Sequence, residues 1–121
     1  MPKVMVVDDS LFMLEHISKR LRKRGYDSVT AMNGYDAVRL YEEDSPDVVL
    51  MDVTMPGRDG LEALFEIKQL DSTAKVIMLT ALNQEWLVTE AMNLGAKDFL
   101  TKPVSPDRLI SALERVIGYG R

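Results

Sequence analysis

A chain of 121 residues, 46% hydrophobic and 28% charged, is long enough for one packed core and too short for a second functional module, so a single domain over residues 1–121 with no output domain is expected. Its net charge of -4 argues against intrinsic binding to nucleic acid or to an anionic membrane, because both rest on a positive surface. With no cysteine, a disulfide framework and a thiolate metal site are excluded.

The first element is Val4-Met5-Val6-Val7, an apolar run ending in Asp8-Asp9, which is the pattern of a strand buried on both faces of a parallel sheet. That run is too short for a signal-peptide core and no later run approaches a membrane span, so a cytoplasmic protein is expected. Met13, Leu14, Ile17 and Leu21 then recur at helical spacing, basic residues crowd the last turns from Lys19 to Arg24, and Gly25 supplies a C-terminal cap. Residues 28–31 form a weak strand with no chemistry at its end, as suits a sheet edge. Asn33-Gly34 turns into a helix with Ala37, Val38 and Tyr41 inward, stopped by Asp44-Ser45-Pro46.

The third strand, Val48-Val49-Leu50-Met51, runs out at Asp52 into a loop closed by Gly57 and Gly60. A helix turning Leu61, Leu64, Phe65 and Ile67 to the core follows, and Asp71-Ser72-Thr73 ends it. Val76-Ile77-Met78-Leu79 ends in Thr80, a helix runs over residues 85–94 with Gly95 as its stop, and a short strand over residues 98–100 ends in Thr101-Lys102-Pro103. Ser105-Pro106-Asp107 opens the last helix, lined by Leu109, Leu113, Val116 and Ile117. Five β-α units with right-handed crossovers give an α/β fold, a doubly wound five-stranded parallel sheet between helical layers.

Parallel strands put their C-terminal ends on one edge of the sheet, where open α/β sheets bind ligands, so Asp8, Asp9, Asp52, Thr80 and Lys102 share one pocket. Two like charges about 5 Å apart repel by roughly 3 kcal/mol at an effective dielectric near 20, and three carboxylates make three such pairs, more than one lysine offsets. A cation is implied. Oxygen ligands with no His or Cys nearby suit Mg²⁺, which takes one or two carboxylates and keeps waters and a phosphate oxygen. Asp52 is then either a third ligand or a carboxylate nucleophile toward phosphorus.

Asp8-Asp9, Asp52 with Met55-Pro56, Thr80-Ala81 and Lys102-Pro103, each after its strand and in this order, resemble the receiver domain of two-component response regulators, in its stand-alone CheY-like form. The similarity covers the whole chain. It brings with it the flavodoxin-like strand order 2-1-3-4-5. It implies Asp52 as the phosphoacceptor, Asp8 and Asp9 as Mg²⁺ acids together with the backbone carbonyl of Thr54, Lys102 as the partner of the carboxylate and then of the phosphoryl group, and Thr80 and Phe99 as the switch pair. It also implies a cis Lys102-Pro103 bond and a signalling surface on the fourth helix, fifth strand and fifth helix. The expected partners are a histidine kinase or small phosphodonor, a downstream target such as a motor switch or adaptor in a chemotaxis system, and a phosphatase, the protein itself being a monomer with only limited self-catalysis. In this family the side chains at Thr54 and Leu82 tune the water that hydrolyses the phosphorylated aspartate, and neither carries a carboxylate or amide here.

Taken singly these residues are unremarkable: an aspartate after a strand is more often a cap, Thr80 a turn residue and Lys102 a solvated charge. The set in order reverses that weighting. His16 reads as a surface residue away from the pocket, the Lys19 to Arg24 run as a solvated helix face, and Trp86 as either a core anchor or a partner contact. The alternatives are a phosphorelay intermediate, a receiver belonging to a DNA-binding regulator, and an Mg²⁺-dependent phosphohydrolase. The last would carry Asp-x-Asp after the first strand where this chain has adjacent Asp8-Asp9.

Overall fold

Short runs of Val, Ile, Leu and Met alternate along the chain with amphipathic helices, and a computed structural model describes residues 1–53, 59–82 and 84–118 of the result. In order these are β1 (Lys3–Val7), α1 (Leu11–Lys23), β2 (Asp27–Ala31), α2 (Gly34–Asp44), β3 (Val48–Met51), α3 (Gly60–Leu70), β4 (Val76–Thr80), α4 (Glu85–Asn93), β5 (Asp98–Thr101) and α5 (Pro106–Ile117). All strand pairs are parallel and the sheet order is β2-β1-β3-β4-β5, with the expected weak strand β2 at one edge.

Strand side chains alternate between faces, and the two faces build two cores. Met5, Val7, Val49, Met51, Val76 and Met78 pack under α2, α3 and α4, whereas Val4, Val6, Val48, Leu50, Ile77, Leu79 and Leu100 pack under α1 and α5. Both faces of the central strands are therefore dry, which is why those runs are apolar without alternation.

Four helices open on a side-chain cap: Ser10, Asn33 and Ser105 each accept from a backbone N–H of the first turn, and Asp59 forms a reciprocal capping box with Glu62. The fifth, α4, begins at Gln84 with no side-chain cap. Gly25, with φ +86°, follows α1 as expected, and Lys102-Pro103 is cis.

Two helix faces differ from the sequence expectation. Phe65 is 51% exposed, and the inner face of α3 is Gly60, Ala63, Leu64 and Ile67, with Leu61 only half-buried. Small Ala63 lets α3 lie close to the sheet, which turns the large ring outward. In α5, Ile110 and Ala112 join Leu109, Leu113 and Ile117 inside, while Val116 is half-buried.

Gly60 holds α3 against the end of β3. Its N–H donates to the Val53 carbonyl at 2.7 Å, and a Cβ at this position would stand 2.0 Å from the Asp52 carbonyl oxygen and 2.8 Å from the Val53 Cα. No side chain fits there without moving backbone. Replacement Gly60→Ala is therefore expected to destabilise the fold by about 1–3 kcal/mol, the usual range for overpacking. Urea unfolding would read the loss, and an unchanged midpoint would show that the helix start yields freely.

At the other end of α3, the Tyr41 hydroxyl donates to Asp71 Oδ2 at 2.7 Å, and Asp71 Oδ1 accepts from the Thr73 N–H at 3.0 Å and hydroxyl at 2.6 Å. The Thr73 hydroxyl first and the Tyr41 hydroxyl second hold the Asp71 carboxyl below its ordinary 3.8, while burial first and the bond to Asp71 second push the Tyr41 phenol far up. A lowered folded pKa stabilises the fold above the unfolded value, and that contribution fades as pH falls through the folded one. Tyr41→Phe should destabilise the protein at pH 7, and the gap to the wild type should narrow below about pH 4. Denaturant titrations at both pH values check this, a constant gap meaning that the hydroxyl is not coupled to the Asp71 charge.

Candidate functional site

Register brings the polar strand ends together. Val7 pairs with Met51, so Asp8 and Asp52 leave adjacent strands at the same level, and the Asp52 N–H donates to the Val7 carbonyl at 3.0 Å. Thr80 pairs with Thr101 at the ends of β4 and β5, and the Lys102 N–H donates to the Thr80 carbonyl at 2.7 Å. These backbone bonds aim side chains from four strand ends into one space at the C-terminal edge of the sheet.

Lys102 bridges the acids. Its Nζ lies 2.5 Å from Asp8 Oδ2 and 3.4 Å from Asp52 Oδ2. The pairing implied by the family is with the phosphoacceptor carboxylate, yet the shorter contact goes to Asp8. The side chains of Asp8, Asp52 and Lys102 are 4%, 10% and 17% exposed, so this is a partly desolvated cluster and not a surface ion pair. Asp8 is further fixed by the Ser10 N–H, which donates to its Oδ1 at 2.9 Å. Asp9 is exposed, at the solvent side of the same group.

Carboxylate oxygens of Asp8, Asp9 and Asp52 lie within 4.8 Å of one another. Three carboxylates against one ammonium leave two negative charges in excess, and each close pair repels by roughly 3 kcal/mol at an effective dielectric near 20. An all-oxygen donor set with excess negative charge and one open, solvent-facing member fits a hard, partly hydrated divalent cation such as Mg²⁺.

Thr80 is 1% exposed, and its Oγ1 accepts from the Leu82 N–H at 3.2 Å. The hydroxyl thus ties the end of β4 to the loop that leads to α4. Phe99 is half-buried, packed on the core under α2, α3 and α4. Thr54, expected to offer its carbonyl to the metal, lies outside the described residues, as do Met55, Pro56 and Gly57.

His16 is exposed, as expected, and lines a groove that contains none of the three acids. Its ring stacks on Phe12 at 5.7 Å, its Nε2 accepts from Arg20 Nε at 3.1 Å, and both rings line a groove of about 390 Å³ that also reaches Lys102 and Pro103. Trp86 is 63% exposed and is no core anchor. Sequence reasoning placed Gly60 in the loop after β3 but missed its close approach to Asp52, which depends on a helix position that spacing alone does not give.

The comparisons follow this geometry. Residues 4–114 match the family profile of the response regulator receiver domain. The chemotaxis protein CheY of Bacillus subtilis is 45% identical over 116 residues, spanning 95% of this chain and 97% of that protein. Among solved structures, a chain of the CheX-CheY-BeF3-Mg²⁺ complex from Borrelia burgdorferi superimposes with a TM-score of 0.93 at 33% identity, covering 97% of this chain and 90% of that one. Chemotaxis protein CheY4 of Vibrio cholerae gives 0.91 at 31% identity, covering 96% and 98%. No helix among the described residues is long and apolar enough to cross a membrane. With an acidic cluster, a lysine and a threonine at the strand ends of a 2-1-3-4-5 sheet, and with these relatives, the chain belongs to the response regulator receiver family and is CheY-like.

Proposed function

We propose that the protein is a phosphorylation-controlled signalling switch of a chemotaxis two-component system, with Asp52 as the phosphoacceptor. The observation that carries this reading is the convergence of Asp8, Asp9, Asp52 and Lys102 at one sheet edge, with Asp52 at the end of the central strand β3. A carboxylate oxygen of Asp52 attacks the phosphorus of a histidine kinase phosphohistidine or a small phosphodonor, the bond from phosphorus to the donor atom breaks, and the donor leaves with the electron pair. Asp8, Asp9 and Asp52 would hold Mg²⁺, which would neutralise the phosphoryl charge.

The chain's own residues do the rest by position and charge. Lys102, already within reach of both buried carboxylates, pairs with a phosphoryl oxygen on Asp52. The Thr80 hydroxyl accepts from Leu82 and keeps its own hydrogen to donate to another. When it does so, the tie to the loop before α4 changes. That helix starts without a side-chain cap, where such a cap typically contributes about 1 kcal/mol, so its first turn is the least expensive to shift. The readout is then a change in partner binding through α4, β5 and α5, with Phe99 repacking beside them. The complex of the Borrelia CheY relative with CheX supports a protein partner for this chain as well.

Incubation with acetyl phosphate and Mg²⁺ should add one phosphoryl mass, and Asp52→Asn should abolish it. Labelling of the variant equal to the wild type would move the phosphoacceptor elsewhere.

The lifetime of the phosphorylated state follows from the side chains that face an attacking water. Leu82 is 40% exposed, stands two residues past Thr80, and has no group to orient water. Slow self-dephosphorylation results, and a brief signal needs an external phosphatase. Leu82→Glu is expected to speed decay of the phosphorylated protein, by up to roughly 10²-fold, the low end of what a positioned base supplies. A decay no faster than that of the wild type, followed at saturating Mg²⁺, would mean that Leu82 does not control the water.

A further inference from the structure

A groove of about 300 Å³ between α3 and α4 takes no part in the phosphoryl chemistry. Leu61, Phe65 and Leu94 make its apolar floor, and Glu62 on α3 and Glu90 on α4 stand on opposite walls, with Glu66 beside them. Phe65, which the core does not take, is 51% exposed here. A large ring held half in water at the floor of a cleft is the kind of anchor that protein partners cover.

Among the described residues that line the groove, the charged ones are all acidic: Glu62, Glu66 and Glu90. α4 contains no lysine or arginine. The single basic residue of α3, Lys68, packs its stem against Gly95, next to Leu94, but its Nζ is engaged by the carbonyls of Ser72 at 2.7 Å and Ala74 at 3.1 Å. The basic residues Lys19 to Arg24 all belong to α1 or its C-terminal cap, under the opposite face of the sheet. The α3–α4 face is therefore complementary to a cation-bearing partner, which an overall charge of -4 does not by itself localise.

We propose that this groove docks an amphipathic helix of a partner protein, one apolar side chain of which packs between Phe65 and Leu94 while flanking lysine or arginine residues reach Glu62 and Glu90. Two parallel walls of helix suit a helical occupant, whose apolar residues recur on one face at the spacing the cleft accepts. The docking is separate from the acidic site at the sheet edge, since none of Asp8, Asp9, Asp52, Thr80 or Lys102 lines it.

The test uses the whole chain and three synthetic peptides of about four helical turns each: a leucine and lysine helix with its apolar residues on one face, the same composition scrambled so that the face is lost, and the first peptide with glutamate in place of lysine. Amide shifts and titrated affinities are read at about 0.15 M salt, where distant charges are screened. The first peptide should bind about tenfold or more tightly than either control, with shifts confined to α3 and α4. Phe65→Ser and Glu90→Lys, both at exposed positions and checked by thermal unfolding, should each weaken it by about tenfold or more. Equal binding of the scrambled peptide, shifts centred elsewhere, or variants that bind like the wild type would overturn the proposal. Sedimentation showing that the chain alone self-associates, and that Glu90→Lys abolishes it, would give the groove to a second copy and overturn it equally.

Discussion

Everything at the sheet edge depends on one ammonium group shared unequally between two buried carboxylates. Lys102 stands 2.5 Å from Asp8 and 3.4 Å from Asp52, and all three side chains are largely withdrawn from water. A buried ion pair is seldom a source of net stability, because desolvation offsets much of the attraction, and apolar groups of the same shape often serve the fold better. Here the balance is worse still, since Asp9 adds a third negative charge within 4.8 Å. Such an arrangement persists because the rest of the molecule is stable enough to hold it, and its excess negative charge is what fits the pocket to a hard cation.

The fold meets that demand with two dry cores on either side of a sheet whose central strands are buried on both faces. Strands packed in this way are stiff, and their ends present side chains at fixed heights. Backbone bonds from Asp52 to Val7 and from Lys102 to Thr80 carry the precision across neighbouring strands. Gly60 adds a constraint of a different kind: by letting the first turn of α3 touch the Asp52 backbone, it sets where β3 ends.

Much of this was legible in the residues, and what was not has a physical pattern. Uninterrupted apolar runs such as Val48-Val49-Leu50-Met51 are readable because only doubly covered parallel strands need them. The acids at their ends are readable because charge next to such a run is expensive. In α3 the reading fails: Leu61, Leu64, Phe65 and Ile67 offer two overlapping stripes, and hydrophobicity ranks Phe65 above Ala63 when the space beneath the helix ranks them the other way. The preference of Lys102 for Asp8, the place of His16 beside the same groove as Lys102, and the bond from Tyr41 to Asp71 all join residues far apart in sequence, and no local spacing encodes them.

The capping of the helices shows how a switch can be confined to one part of so rigid a molecule. Ser10, Asn33, Asp59 and Ser105 anchor the starts of α1, α2, α3 and α5 with side-chain bonds to their first turns. Among the described residues only α4 lacks one, and the residue chain leading toward it is held by a bond from the Leu82 N–H to the Thr80 hydroxyl, at the end of the strand next to the one that carries Asp52. The other helices would each have to give up a cap, typically about 1 kcal/mol, before their first turns moved. A change in what the Thr80 hydroxyl bonds to would therefore act first on α4. Because α4 contributes Leu87 and Ala91 to one core and Glu90 to the acidic groove, its position is sensed both under the sheet and at the surface. Coupling of this sort needs no wire through the protein, only one helix left less firmly fixed than its neighbours.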